Sequence, residues 1–162
     1  MTFYQSFQGT VTMINEFHAG TGVRPGCYIM ITVEDRGGSI VNFVVNPMTY
    51  FVDHVTLYEG DEVIGFYDAN APVPLIYPPQ YQAIVMAKQS MDEFVTVDFF
   101  NRQLTNSDNT LKLNIGPNTQ VLLTNNQMFN GSLMNRDLVV VYSFTTRSIP
   151  AQTTPMQVIV LC

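Results

Sequence analysis

The chain resembles itself, and this limits its architecture more than any other feature of the sequence. The heptapeptides FQGTVTM (Phe7–Met13), YQAIVMA (Tyr81–Ala87) and MQVIVLC (Met156–Cys162) each carry a large apolar residue, then Gln, two further residues and Val. The match between the second and third extends upstream without a gap. Residues 63–87 lie over 138–162, with Tyr67 on Tyr142, Gln82 on Gln157, Ile84 on Ile159 and Val85 on Val160. Farther upstream, VNFVVNPMT (41–49) lies over LKLNIGPNT (111–119), with Pro47 on Pro117 and Thr49 on Thr119. Insertion of a few residues in NNQMFNGS (125–132), a loop by composition, accounts for the change of offset. Matches that keep their order at near-constant spacing predict an internal duplication. The unit is too long for a solenoid repeat and suits a small β-domain.

The first copy reads as strands. FYQSFQGTVTMINEF is long, rich in β-formers and interrupted at Gly9, where a coiled first strand needs to bend. YIMITVED and SIVNFVV flank DRGGS and predict a hairpin about a glycine turn. NPMTYFVDH is short and helix-like, EGDE is a turn, and VIGFYD and QYQAIVMA are strands on either side of a proline-rich loop. Long strand, hairpin, short link, strand, loop, strand is the order of an OB-fold, a five-stranded Greek-key barrel. The second copy is leaner. FVTVDFF is expected to pair with LKLNIG across TNSDN, followed by TQVLL, DLVVVYSF and MQVIVLC, and no private copy of the long first strand is evident. YQAIVMA is then expected to close the first barrel and to open the second, or the two units to share a sheet. The expectation is an all-β chain of two tandem OB-like units, 1–88 and 89–162, or a barrel plus a smaller related unit, with the boundary at KQSMDE.

Only 12% of the residues are charged, about half of what soluble domains usually carry. Asn, Gln, Ser and Thr fill the surface positions, and a polar but weakly charged surface resists self-association poorly. Net charge is −6, and the seven basic residues are scattered at 24, 36, 88, 102, 112, 136 and 147. Nucleic acids are bound largely through clustered Lys and Arg, so no nucleic-acid partner is expected. MTFYQSFQGTVTM lacks both the basic and the apolar regions of a signal peptide, so synthesis in the cytoplasm is expected, and a cell or spore surface is compatible with an unconventional route. No apolar run is long enough for a membrane helix, and no membrane insertion is expected.

No reaction is legible. His18 and His54 are the only histidines, and the neighbours Asp53 and His54 would point apart in a strand. The acidic pairs Glu34–Asp35, Asp61–Glu62 and Asp92–Glu93 fall at turns, and NSDN (106–109) lacks the length and closing Glu of a calcium loop. Neither a nucleophile elbow nor a phosphate loop occurs. No catalytic residue, metal or cofactor is expected. NGS at 130–132 is a glycosylation sequon without a secretory context. Cys27 and Cys162 fit no metal or redox spacing, and read either as buried free thiols or as partners in an intermolecular disulfide.

FYDANAPVPLIYPPQY (66–81) holds four prolines and four aromatics. Proline holds its backbone near polyproline II and removes N–H donors, so the loop is stiff. Two uses follow. It is a rigid connector whose tyrosines cover a barrel end, or a preorganised contact surface in which Tyr77 and Tyr81, with Pro78 and Pro79, anchor a partner. MQVIVLC either closes the second barrel or, having no polar tail to shield its edge, adds to a neighbouring molecule, and Cys162 joins the candidate contacts.

The string NFVVNPMTYFVDH…GDEVIGFYDANAPVPLIYPPQYQAIVMA, followed by SDNTLKLNIGPNT and TTRSIPAQTTPMQVIVLC, resembles a group of short uncharacterised proteins of clostridia-like Gram-positive bacteria. The resemblance spans most of the chain. It implies a bacterial origin and assigns no functional residue. The functional expectation is a non-enzymatic structural protein that self-assembles through strand and loop contacts into a filament or layer. The alternative is a monomeric OB-type module that binds a peptide, glycan or small ligand.

Overall fold

A computed structural model describes residues 1–162. The chain is all-β apart from one 3-10 turn at Val52–His54, and divides into two compact units, Met1–Gln89 and Ser90–Cys162.

The first unit holds β1 (Tyr4–Glu16), β2 (Ile29–Glu34), β3 (Ile40–Val45), β4 (Tyr50–Phe51), β5 (Glu62–Asp68), β6 (Gln80–Gln82) and β7 (Val85–Lys88). They form one sheet in the order β4-β7-β5-β1-β2-β3-β6. Since β6 and β7 are successive pieces of one stretch, the pairings return on themselves and the unit is barrel-like. Long β1 makes this possible by changing partner midway. It pairs antiparallel with β5 over Tyr4–Thr10 and with β2 over Thr10–Glu16, with an irregular register between Val11 and Met13. Gly9 sits at the changeover, and a Cβ there would lie 2.6 Å from the Glu34 carbonyl carbon and 2.9 Å from the Asp35 nitrogen. Only glycine lets β1 and the end of β2 come this close. The hairpin expected about DRGGS is present as β2 and β3. Its turn is held by Asp35, whose Oδ1 accepts the Gly37 and Ser39 amides at 3.0 and 2.9 Å. Alternate residues face inward, and Val11, Ile31, Val33, Val41, Phe43, Val63 and Met86 form the core.

Part of NPMTYFVDH, expected to be helix-like, is strand β4, followed by the 3-10 turn. Asp53 and His54 both lie in that turn with positive φ, not in a strand, and the His54 ring stands edge-on to Tyr50 at 5.7 Å.

The second unit holds β8 (Phe94–Phe100), β9 (Leu111–Leu113), β10 (Gln120–Leu123), β11 (Arg136–Tyr142), β12 (Ala151–Thr153) and β13 (Gln157–Val160). Two sequence expectations are corrected here. FVTVDFF does not pair with LKLNIG. β8 pairs antiparallel with β11, as β1 does with β5, so this unit has its own first strand. Between β8 and β9 stands a stub of two bridges, Phe100 to Asn106 and Thr105 to Lys112, where the first unit has full-length β2. YQAIVMA, for its part, becomes β6 and β7, which pair only within the first unit.

The hydrogen bonds also revise the alignment of the copies. Thr49 Oγ1 donates to the Ala83 carbonyl at 2.9 Å, and Thr119 Oγ1 to the Pro155 carbonyl at 2.6 Å. The Tyr50 amide donates to Ile84 O, and the Gln120 amide to Met156 O, each at 2.9 Å. The Ile84 amide donates to Phe66 O, and the Met156 amide to Val141 O, each at 2.8 Å. Val85 therefore corresponds to Gln157, and not to Val160 as the letters suggest. The shift arises because the loop before β12 is three residues shorter than the loop before β6. Pro78 and Pro150 then correspond, and both follow cis peptide bonds. The matched prolines and threonines of NPMT and GPNT are explained by the same geometry. Each Thr hydroxyl accepts an amide of its own turn at 3.2 Å, from Asn46 or Gly116, while donating to the next strand. The second core comprises Phe100, Leu111, Leu113, Leu138, Val140, Val158 and Val160.

Candidate association surface and loop cleft

β5 delivers the chain to the proline-rich loop and β6 receives it. Asp68 Oδ1 accepts the amides of Phe3 and Asn70 at 3.1 and 3.0 Å, which fixes the start of the loop. The prolines then hold its course, and its apolar side chains stand outward. Leu75 is 100% exposed and Tyr77 is 78% exposed, with Ile76 between them. Beneath the loop is a cleft of about 360 Å³. Its walls are Phe17 and Tyr28, at the ends of the β1–β2 connection, Val44 of β3, Ala71 to Pro74 of the loop, and Tyr81 with its neighbours. Polar groups enter it from Asp68, Gln80 and Gln82.

The predicted contact residues part company. Tyr77 stands in solvent on the crest of the loop, and Pro78 and Pro79 are half-buried at its foot. Tyr81 is not a loop residue. It lies in β6, packs on the core, and stacks on Tyr67 with ring centroids 3.9 Å apart and planes 8° from parallel. Burial, and then the neighbouring Tyr81, push the Tyr67 hydroxyl above its ordinary 10.0. Replacing Tyr81 with Ala is therefore expected to cost about 1–3 kcal/mol, while Tyr77→Ala stays within about 0.5 kcal/mol. Urea melts of the two single variants measure this, and equal midpoints would return Tyr81 to the loop surface.

The corresponding loop of the second unit follows the same rule with other residues. Ile149, at the position of Tyr77, is 93% exposed, and Phe144 is 85% exposed. The position of Tyr81 is taken by Thr153, whose hydroxyl donates to the Phe144 carbonyl. Both loops thus present large apolar side chains outward. In the second unit this was invisible in the sequence, because the gap-free alignment put Ile149 opposite Pro74.

Cys162 is exposed, but β13 before it lies between β10 and β11 and is paired on both sides over Gln157–Val160. The C-terminal strand presents no open edge. Cys27 is likewise free and exposed, which removes the buried alternative for both thiols. An open edge lies toward the other end of the chain. β1 pairs with β5 over Gln5–Gly9, and β2 meets its opposite side first at Thr10. The segment from Met1 to Asn15 contains neither a charged residue nor a proline. The sequence makes the N-terminal strand FYQSFQGTVTM a candidate for strand addition, but does not show which part of β1 is left uncovered, because β1 looks like one uniform strand. The only signal was Gly9, where the partner changes.

Several acidic side chains have structural work. Asp61 lies 3.4 Å from Lys88 and accepts the Tyr58 amide, Glu62 accepts the Thr10 hydroxyl, and Asp98 accepts from Ser107. Nowhere do three or more His, Cys, Asp or Glu side chains gather at metal-binding distance. No helix is long and apolar enough to cross a membrane. Comparison of the chain with protein-family models, with curated proteins and with solved structures finds no match.

Proposed function

We propose that this is a non-enzymatic protein of two OB-like units, related by duplication, that associates with its own kind. The observation that carries the reading is the part of β1 over Gln5–Gly9 whose outer side β2 does not reach, and which has neither charge nor proline in it. Soluble monomers blunt such edges with charge, proline or a covering segment, because an unpaired row of N–H and C=O groups is a template for another chain. The OB-like description is supported by the ring of pairings β1-β2-β3-β6/β7-β5-β1, in which β3 and β6 run parallel and the rest antiparallel. The exposed crests at Leu75 to Tyr77 and at Phe144 and Ile149 offer second contacts, through which paired molecules would extend into a filament or a layer at a cell or spore surface. Sedimentation velocity over a range of concentrations is expected to show species above the 18.2 kDa monomer, with extended particles in negative stain at the highest concentrations. A single monomeric species throughout would defeat the proposal.

The apolar cleft under the proline-rich loop favours a second reading. There the protein is a monomeric module that receives a peptide, glycan or small ligand between the β1–β2 and β5–β6 connections. A strictly monomeric result in the same experiment supports that reading.

A further inference from the structure

We infer that Asn130 is a site of spontaneous chemical modification, at which the Asn130–Gly131 step converts to aspartyl and isoaspartyl forms in the folded protein. The inference goes beyond the association reading and does not depend on it. The chemistry is local. The Gly131 amide nitrogen attacks Cγ of Asn130, a new C–N bond closes a cyclic imide, and the side-chain nitrogen leaves as ammonia, taking up the proton that the amide gives up. Water then opens the ring. Addition at Cγ breaks the new bond and gives aspartate. Addition at the backbone carbonyl breaks the original peptide bond and leaves the chain running through the side chain, as isoaspartate. Either way water is consumed, ammonia is released, and a neutral side chain becomes a carboxylate.

The reaction needs an unhindered amide on the following residue, a carboxamide free to swing onto it, and a backbone that can change shape. Asn130 meets all of these needs. Glycine has no side chain to block the approach, and Asn130–Gly131 is the only Asn-Gly step in the chain. Asn130, Gly131 and Ser132 are exposed and lie outside every strand, between β10 and β11. Neither the Asn130 side chain nor the Gly131 amide is held by a hydrogen bond of the chain. The segment is tied on either side instead. The Phe129 amide donates to the Val121 carbonyl at 3.0 Å, and Arg136 Nε donates to the Ser132 carbonyl at 2.7 Å. The fold also keeps the glycine in place, because a Cβ at 131 would meet Cζ of Phe129 at 2.6 Å. That ring carries the Arg136 guanidinium, whose carbon lies 4.9 Å from its centroid. Arg136 thus lies against the segment that gains the carboxylate, and a nearby cation favours the ionised product.

Other asparagines lack one need or another. Asn46 precedes Pro47, which has no N–H to ionise. Asn101 Oδ1 accepts the amides of Gln103 and Thr105 at 2.9 and 3.1 Å. Asn106, before the small Ser107, is the nearest rival by sequence. Its Oδ1 accepts the Thr110 and Leu111 amides, each at 2.9 Å, and its Nδ2 donates to the Thr110 hydroxyl at 3.0 Å. The fold protects Asn106 and leaves Asn130 open.

The test uses the full-length protein, folded at mildly alkaline pH and, in parallel, unfolded in guanidinium. Peptide mapping by mass spectrometry follows the mass gain for exchange of an amide for a carboxylate, and chromatography separates aspartyl from isoaspartyl peptides. In the folded protein the gain is expected at Asn130 before any other position, and faster at higher pH because the attacking nitrogen must lose its proton. Asn106 is expected to stay intact until the chain is unfolded. Asn130→Gln, whose longer side chain closes the ring far more slowly, is expected to remove the early acidic species seen by ion exchange while leaving the thermal melt unchanged. If Asn130 reacts only in guanidinium, the loop holds it away from Gly131 and the inference fails. It fails as well if another asparagine of the folded protein gains the charge first, or if the acidic species persists in Asn130→Gln.

Discussion

Gly65→Val is expected to unfold the N-terminal unit or to lower its stability by about 3 kcal/mol or more. Gly65 lies in the middle of β5, paired with Phe7 on one side and Met86 on the other, so the strand cannot move away. A Cβ at this position would sit 2.6 Å from Cζ of Phe43 and within 2.9 Å of both its Cε atoms. Phe43 is fully buried among Val11, Ile31, Val41 and Val63 and has no solvent side to rotate toward. Overpacking a closed core typically costs about 1–3 kcal/mol, and a branched side chain against a fixed ring belongs at or above the top of that range. Against a total of about 5–15 kcal/mol this is a large fraction. The cause is testable by a second change. Phe43→Leu alone leaves a partial cavity and destabilises, but combined with Gly65→Ala it removes the overlap. The double variant should lose less than the sum of the single ones, with a coupling of about 1 kcal/mol or more. Urea denaturation supplies all four values. Additive losses would mean that Phe43 is not what keeps position 65 as glycine.

The second large effect belongs to the C-terminal unit and sets two phenylalanines against each other. Phe100 ends β8 and is fully buried with Leu111, Leu113, Leu138 and Val140. Phe144 is in the loop after β11 and is 85% exposed. Phe100→Ala empties a ring-sized space that strands on several sides hold open, and is expected to cost about 3–5 kcal/mol. Phe144→Ala removes a side chain that touches mostly water, and is expected to change stability by no more than about 0.5 kcal/mol. Sedimentation velocity should move the other way, since Phe144 belongs to the proposed loop crest and Phe100 does not. Denaturant midpoints for the two variants decide the matter, and comparable losses would remove Phe144 from the crest.

Most strands were legible because each alternates or clusters its apolar residues and is bounded by turn chemistry. The β2–β3 hairpin shows this best, with its Asp35 turn and its inward Ile31, Val33, Val41 and Phe43. The candidate surface was legible only in part. Tyr77 was found because it stands among prolines. Tyr81 was misplaced because a proline-rich neighbourhood hides the start of β6 at Gln80. The C-terminal strand could be read as an open edge or as the strand that closes the second barrel, because apolar letters fit both, and its pairing on both sides decides for closure.

The sequence by itself determined that the chain is all-β and that the same motifs recur. Period-two burial, Asn-Pro-x-Thr and Gly-Pro-x-Thr turns and glycine positions act locally, and local chemistry can be read from a string. Only the tertiary structure decided which strands meet. A shift of three residues, which sets Val85 against Gln157 instead of Val160, leaves apolar strand sequences looking alike while changing every partner. Pairing joins segments distant in the chain and is set by loop length and closure of the ring. That is why β1 changes partner at Gly9, why β13 is enclosed, and why β2 leaves the outer side of β1 uncovered before Thr10.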